Sequence, residues 1–255
     1  AGMSAWQKAL IGDLIESGHI LVHKDGNHGS NYPRSHEFVE HGLPFLTAKL
    51  LSDWAIDFES APRLSQEKAS SFKFGFVREG DVLLSHNATV GRVAIVPKID
   101  VEAVIGTSLT QFRVNSDLLL PEFLALYFSS SEFQRNLGFV MAQTTRNQVP
   151  ITEQRKLWIR IPSLEAQQEV VDAILPVFRK IELNRKTAAT LEEMARALYR
   201  SWFVDFDPVH AKAAGLAPAH MDTQTADLFP DSFGDDGLPE GWEIGTLSDL
   251  MDFNP

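Results

Sequence analysis

The chain has 255 residues, of which 44% are hydrophobic and 22% charged, and it contains no cysteine. This composition is typical of a globular chain with a buried core, and it excludes disulfides, thiolate zinc sites, iron–sulfur clusters and cysteine nucleophiles. No apolar run reaches the roughly 18 residues that a membrane helix needs, and no signal-peptide pattern is present, so we predict a cytoplasmic location and no membrane partner.

The net charge of −11 is concentrated in the last fifth of the chain. Residues 1–163 carry 16 basic and 17 acidic side chains, residues 164–203 carry 6 of each, and residues 204–255 carry 1 basic and 11 acidic side chains. The first part is therefore nearly neutral and is free to place its cations on one face, which is compatible with a nucleic-acid partner.

Ala1 and Gly2 precede Met3 and are set aside, and the pattern over residues 3–163 predicts one α+β domain. Short apolar or alternating runs are bounded there by Gly, Pro, Asn and Asp, which is typical of strands and turns. The predicted elements are a strand pair over residues 80–85 and 92–97, a strand over 111–114, a helix over 121–130 that begins at Pro121, and a strand over 156–161.

Residues 164–203 predict a helical spacer. Pro176 fits the first turn of a helix and breaks a helix interior, so we predict a short helix from 164 to about 175 and a long helix over 176–203. Along the long helix, apolar residues recur at steps of three, four and seven, as in a coiled-coil seam. These residues are Phe178, Ile181, Ala188, Leu191, Ala195, Leu198 and Trp202. The stripe predicts a partner helix, and the alternative is packing on the helix's own domain.

Residues 204–241 are acidic and rich in Pro, Gly and Asp, which predicts a linker with little regular structure. The segment from Trp242 to Leu250 repeats the pattern from Trp6 to Leu14, with Trp, an aliphatic residue, Asp and Leu at the same offsets. The repeat predicts that residues 242–255 begin a second unit resembling residues 3–163.

The sequence contains no phosphate-binding glycine loop, dinucleotide motif or nucleophile elbow, so we predict no catalytic residues and no enzyme activity. His19 and His23 have a spacing that can bind a metal on a helix. Glycines nearby argue against a helix, so we predict solvated loop histidines and no metal site.

Polar side chains in the predicted loops favour recognition instead. Arg pairs with guanine edges, Asn and Gln pair with adenine, and Thr contacts thymine methyl groups or phosphates. The strongest run is Thr144, Thr145, Arg146, Asn147 and Gln148. Further candidates are Asn31, Tyr32, Arg34, Thr47, Lys49, His86 and Asn87. We predict that these residues bind double-stranded DNA; the alternative for each is an ordinary polar loop.

Several parts of the chain resemble the specificity (S) subunit of type I restriction–modification enzymes. They are the strand pair over residues 80–96, the blocks 143–151 and 159–168, and the helical stretches 180–185 and 191–208. Residues 241–242 with 247–250 resemble the start of the second recognition domain of that family. The resemblance implies sequence-specific DNA recognition, with this domain reading one half of a bipartite target. It also implies that the helical spacer docks the methyltransferase (M) subunit, which binds S-adenosylmethionine, and that the motor–nuclease (R) subunit joins the complex. No cofactor is implied for this chain.

The resemblance covers about half of a usual S subunit. We therefore expect either a truncated subunit or a half-subunit, and for the latter we predict an antiparallel homodimer through residues 176–203. Two alternatives remain. A fragment of a single-chain DNA methyltransferase or nuclease would act with magnesium or S-adenosylmethionine alone, and a coiled-coil adaptor would not contact DNA.

Overall fold

The computed structural model describes residues 6–52, 54–143 and 147–246. The chain divides into two compact units, residues 1–180 and 181–255. The first unit mixes helices with small sheets, and a long helix runs out of it, so the α+β class predicted from the sequence is confirmed.

The strands of the first unit are β1 (Gln7–Leu10), β2 (Ile20–Asp25), β3 (Phe38–Val39), β4 (Leu43–Leu46), β5 (Leu51–Ser52), β6 (Ala55–Ile56), β7 (Arg63–Leu64), β8 (Phe76–Val77), β9 (Val82–Ser85), β10 (Val93–Ile95), β11 (Ala103–Ile105), β12 (Leu109–Val114) and β13 (Trp158–Ile161). The helices of the chain are α1 (Ile11–Glu16), α2 (Gln66–Ser70), α3 (Pro121–Ser129), α4 (Ser131–Ala142), α5 (Ile151–Gln154), α6 (Leu164–Phe203), α7 (Asp207–Ala213) and α8 (Thr223–Ala226). Short 3-10 turns cover Gly29–Asn31, Ser35–Glu37 and Ala48–Leu50.

A four-stranded antiparallel sheet, in the order β10-β9-β12-β2, organises the first unit. Thr110 near the start of β12 lies opposite Asp25 at the end of β2, and Leu109 lies opposite Ser85 at the end of β9. β10 begins at Val93 beside the same end of β9. The connections that leave or enter these strands therefore meet at one edge, which we call the loop end.

A five-stranded sheet, in the order β3-β7-β4-β11-β8, reaches the same edge. β4 and β11 are parallel, with Leu46 opposite Ile105, and the amide of Gly106 donates to the carbonyl of Leu46 at 2.7 Å. A Cβ at Gly26 would lie 2.3 Å from the carbonyl carbon of Gly106, so only glycine permits this approach. The connection after β2 is thus pressed against the connection between β11 and β12.

The core lies between the four-stranded sheet and helices α3 and α4. Phe112 of β12 packs against Phe128 of α3 with ring centroids 5.0 Å apart, and Phe128 stacks on Phe133 of α4 at 4.4 Å. All three rings are fully buried, which removes large apolar surfaces from water. This packing fixes the sheet from which the loop end extends.

Several predicted elements are confirmed. β9 and β10 form the antiparallel pair expected over residues 80–97, and Pro121 occupies the first turn of α3. The strands expected over residues 111–114 and 156–161 are present within β12 and as β13, which pairs with β1.

The spacer differs from the prediction, because α6 is one continuous helix with Pro176 inside it rather than two helices. Proline has no N–H, so the carbonyl of Asp172, four residues earlier, loses its helical partner. Both residues are exposed, and water can satisfy this carbonyl while the helix continues.

The segment after α6 is also more regular than the predicted linker, since it contains α7 and α8. Pro208 lies in the first turn of α7, and the side chain of Asp222 accepts from the amide of Thr225 at 2.7 Å at the start of α8. Within this second unit, Trp242 stacks on Phe203 with centroids 6.1 Å apart. Local capping and aromatic contacts therefore order a sequence whose composition predicts a loop.

The prediction of solvated loop histidines is wrong for His23. This residue lies on β2, is 5% exposed, and packs against Phe112 with centroids 4.8 Å apart. In the ranges that the structure describes, no three histidine, aspartate or glutamate side chains gather closely enough to hold a metal ion. No helix within those ranges is long and apolar enough to cross a membrane.

Candidate nucleic-acid interface

Four of the sequence-predicted residues lie on connections at the loop end. Thr47 and Lys49 directly follow β4, and His86 and Asn87 directly follow β9. The amide of Ala48, between the first two, donates to the hydroxyl of Ser108 at 2.9 Å, which ties this connection to the start of β12. Residues that are far apart in sequence are therefore brought to one edge.

The end of the predicted recognition run is fixed to the same edge. Asn87 and Gln148 form an isolated antiparallel bridge, and the amide of Val149 donates to the carbonyl of His86 at 2.8 Å. Asn147 is exposed and Gln148 is half-buried. Thr144, Thr145 and Arg146 lie outside the described residues.

Asn31, Tyr32 and Arg34 are exposed on the connection that follows β2. The ring of Tyr32 meets Phe45 edge-on with centroids 6.0 Å apart. Phe45 is the penultimate residue of β4, so this contact brings the third polar connection close to the loop end.

Two cations of this region are exposed. Arg34 and Lys49 make no ion pair within the described ranges, and both are available for an anionic partner. Arg92, which the sequence analysis did not single out, has a structural role. Its guanidinium donates to the carbonyl of Ala48 at 3.3 Å and to that of Leu51 at 2.9 Å. Arg92 thereby holds the connection that carries Lys49.

A buried polar network lies directly beneath the interface. The side-chain amide of Gln154, which is fully buried, donates to the carbonyl of Val149 at 3.0 Å and to the hydroxyl of Thr110 at 2.9 Å. Its oxygen is 3.2 Å from Nε2 of His23, and the hydroxyl of Thr110 is 2.8 Å from Nδ1 of His86. The network therefore links the recognition run to the central strands β12 and β2.

Both histidines of the network are neutral at pH 7. Burial lowers the pKa of His23 to about 4, although the hydrogen bond to Gln154 opposes this, and burial likewise lowers the pKa of His86 to about 4. The interface consequently gains no positive charge from these rings at neutral pH. Gln154 and Thr110 are candidates that the sequence analysis missed. They lie 44 positions apart, and His23 lies 131 positions from Gln154, so no sequence motif marks this network.

Away from the loop end, Arg113 forms a buried ion pair with Asp81, which directly precedes β9. Asp81 is 1% exposed and accepts from Nε and Nη2 of Arg113, both at 2.8 Å, and from the amide of Gln111 at 2.7 Å. Arg113 is therefore a structural cation rather than a candidate for phosphate contact.

The predicted apolar stripe of α6 divides into packed and exposed residues. Phe178 stacks on Trp54 of the first unit with centroids 4.8 Å apart, and Trp202 contacts Phe229 of the second unit at 6.1 Å. These two residues therefore pack on their own chain. Among the rest, Leu198 is half-buried, and the exposed members are Ile181, Ala188, Leu191 and Ala195.

The described residues form an α+β domain followed by the long helix α6, the fold class predicted from the sequence. Residues 3–193 match the type I restriction modification DNA specificity domain, and the chain belongs to this family. The resemblance seen in the sequence is thereby confirmed.

Individual relatives agree with this assignment. The specificity subunit of the type I restriction enzyme HindI from Haemophilus influenzae is 36% identical over 155 residues, which is 60% of this chain and 34% of that protein. The type I S subunit of M. genitalium shares the fold, with a TM-score of 0.53 and 14% identity over 76% of this chain and 45% of that one. A chain from a study of complex assembly and conformational transition in a type I R-M system gives a TM-score of 0.52 and 21% identity over 77% and 44%. The chain thus spans between a third and a half of these relatives.

Proposed function

We propose that this chain is a non-catalytic specificity subunit that recognises double-stranded DNA and reads one half of a bipartite target. The observation that carries the proposal is the convergence at the loop end of polar connections from β2, β4 and β9 with the segment at Gln148. Sequence reading in the major groove requires several hydrogen-bonding side chains on one rigid edge, and the network under Val149 supplies the rigidity.

The residues divide into two groups by chemistry. Arg34 and Lys49 are exposed cations suited to phosphate oxygens, which give affinity and register but no sequence information. Amide side chains such as Asn147 and Gln148 are suited to base edges, with Arg146 as a guanine reader in the same run.

The test is selection from a pool of random-sequence duplex DNA, followed by affinity measurements on the enriched duplex at 50 to 200 mM salt. We expect an enriched motif and a linear fall of log affinity with log salt, with the slope reduced by about 0.9 in Lys49→Ala. Lys98→Ala is the matched control, because this exposed lysine follows β10 at the edge opposite the loop end. Absence of any enriched motif, or identical behaviour of the two lysine variants, would contradict the proposal.

The recognition run is tested separately. The triple variant Arg146→Ala, Asn147→Ala, Gln148→Ala is expected to lose the preference for the enriched duplex over random duplex by about tenfold or more, since each specific base contact contributes about 1–3 kcal/mol. Unchanged preference would remove these residues from the set of base readers.

We further propose that α6 is a docking helix. It would bind the methyltransferase subunit, which carries S-adenosylmethionine, within an assembly that the motor–nuclease subunit joins, and in the half-subunit it would pair antiparallel with a second copy. The support is the exposed apolar surface of α6 beyond Pro176: Ile181 is 42% exposed, Leu191 59% and Met194 55%. An apolar stripe of this kind is stable in water when another helix covers it.

Sedimentation at tens of micromolar tests the homodimer, with Leu191→Glu as the disrupting change and Glu193→Gln, an exposed neighbour, as the control. We expect a dimer that Leu191→Glu converts to a monomer. A monomeric unmodified chain would refute the homodimer, and copurification with a methyltransferase subunit that Leu191→Glu leaves intact would refute docking through this stripe.

A further inference from the structure

The short antiparallel ribbon formed by β1 and β13 turns one face outward. Lys8 of β1 lies directly opposite Arg160 of β13, and Trp158 lies two residues before Arg160 on the same face. Both cations are exposed and Trp158 is half-buried, whereas Ile159, which points to the other face, is fully buried. The outward face, which we call the ribbon face, therefore carries two cations beside one aromatic ring.

The pairing of two cations across the ribbon is electrostatically unfavourable, because like charges directly opposite each other destabilise an antiparallel pair. Nζ of Lys8 lies 3.9 Å from the centroid of the Trp158 ring, and the guanidinium carbon of Arg160 lies 5.4 Å from the same centroid. The ring attracts both cations and so holds them near each other. An anion bound by the two side chains would remove the remaining repulsion.

A carboxylate orients the guanidinium of Arg160. Nε of Arg160 donates to Oε1 of Glu132 at 3.1 Å, and the hydroxyl of Tyr127, a buried residue, donates to Oε2 of Glu132 at 2.9 Å. Within the described ranges, neither terminal amino group of Arg160 forms a hydrogen bond. The planar guanidinium thus keeps two parallel donor groups for a further acceptor.

Lys8 supplies the second set of donors. Among the residues that the structure describes, its ammonium makes no ion pair, and it contacts the ring of Trp158. Two cations and the carboxylate of Glu132 leave one net positive charge on the ribbon face. The fork of an arginine matches two oxygens of a phosphate, and an ammonium binds a third oxygen as a point charge. A carboxylate offers only two oxygens, so a phosphate fits this donor set better.

We propose that Arg160 and Lys8 form a phosphate-binding site on the ribbon face, which a backbone phosphate flanking the half-target occupies in the DNA complex. This inference deepens the DNA recognition proposed above and, for the source of the phosphate, rests on it. Arg160 is six residues from Gln154 of the buried network, so the two lie within about 22 Å of each other. One turn of DNA is longer, about 34–36 Å, so a duplex that extends past the loop end can present a phosphate there.

Binding of a phosphate group can be measured without DNA. In protein labelled with nitrogen-15 on arginine, the Nε–H signal of Arg160 is identified by its loss in Arg160→Lys. We expect inorganic phosphate to shift this signal to saturation, chloride at equal ionic strength to leave it in place, and Lys8→Ala to weaken the response. The absence of a phosphate-specific shift would overturn the site, and a response that Lys8→Ala leaves unchanged would overturn the shared role of Lys8.

The source of the phosphate is tested with the enriched duplex in two lengths, one limited to the motif and one extended by about one DNA turn on each side. For the longer duplex, we expect the double variant Lys8→Ala, Arg160→Ala to reduce the slope of log affinity against log salt by about 0.9, the value for one phosphate. For the shorter duplex, the double variant should match the unmodified chain. Lys98→Ala is again the control and should change neither slope.

Two further measurements distinguish a phosphate contact from other roles. The preference for the motif over random duplex should stay the same in the double variant, because phosphate contacts carry no sequence information. Both substituted side chains are exposed, so we expect the variants to fold, and urea unfolding checks this. Arg160→Lys keeps the charge but lacks the fork, so it should weaken binding of the longer duplex less than Arg160→Ala.

The outcomes separate the two proposals. If the unmodified chain enriches no motif, DNA recognition fails, and the titration with inorganic phosphate alone decides whether the site exists. If a motif is enriched but the double variant matches the unmodified chain on both duplexes, the DNA backbone is refuted as the source of the phosphate. A fall in slope of about 1.8 would indicate two independent contacts and would refute a shared phosphate.

Discussion

Acidification from pH 7.5 to 5.0 should destabilise the first unit through its two buried histidines. The pKa of His23 and that of His86 are each lowered to about 4 by burial, from the ordinary value of 6.5. The unfolded chain therefore binds protons that the folded chain rejects between these two values, and stability is lost as the pH falls through this window.

The magnitude follows from the two pKa values. At pH 5.0, one unit above the folded pKa and 1.5 below the unfolded one, each histidine removes about 2 kcal/mol of the stability present at pH 7.5. The two together remove about 4 kcal/mol, a large part of the 5–15 kcal/mol that is typical of a domain. The carboxylates with lowered pKa, Glu132 among them, have ordinary pKa values of 4.5 or 3.8, so the stability that they contribute is lost mainly below pH 5.0.

Urea unfolding at pH 7.5, 6.5, 5.5 and 5.0, followed by circular dichroism, measures this effect. The variant His23→Gln, His86→Asn is the control, because neither replacement titrates and each keeps a polar atom near the network. We expect the free energy of unfolding of the unmodified chain to fall by about 4 kcal/mol and that of the variant to change little. Equal pH dependence in the two proteins, or no change above pH 5.0 in the unmodified chain, would refute the assignment of neutral buried histidines.

Three further changes test the packing around the interface. Gln154→Leu should cost about 3 kcal/mol in urea unfolding, because it leaves several buried partners unsatisfied; a cost below 1 kcal/mol would contradict the network. Gly26→Ala should lower the free energy of unfolding by about 3 kcal/mol or more, since its Cβ meets the backbone of Gly106. Gly138→Ala, which has open space on helix α4, should raise it by up to about 1 kcal/mol. Equal melting temperatures of the two variants would contradict this contrast. Arg113→Ala should cost about 3–5 kcal/mol by leaving Asp81 buried and unpaired, and Arg113→Ala with Asp81→Asn should recover part of it.

The parts of the fold that the sequence predicts are those set by local patterns. The β9–β10 pair follows from two short apolar runs joined by a turn with glycine, and α3 follows from Pro121 and apolar spacing. His86 and Asn87 are predicted to lie in a loop for the same reason, because the first of these runs ends at Ser85. Thr47 and Lys49 follow a strand that the sequence analysis did not predict.

The features that the sequence does not predict depend on contacts between residues far apart in the chain, or on exposure of a backbone group to water. Gln154 and Thr110 form the centre of the network, yet they are 44 positions apart and His23 is 131 positions from Gln154, so no periodicity marks them. His23 looks like a loop residue from its neighbouring glycines, but strand pairing buries it. Pro176 stays within α6 because the carbonyl that it leaves free is exposed to water, a condition that the sequence does not reveal.

The glycine at position 26 has a consequence for how such a domain can acquire a new target. Gly26 packs against Gly106, and the buried side chain of Gln154 holds Val149. Both contacts fix the surrounding connections from below and lie beneath the exposed polar side chains. Exposed positions such as Asn31 and Asn147 can therefore be exchanged without disturbing these contacts. Under the proposed function, a change of preferred DNA sequence then need not cost the protein its stability.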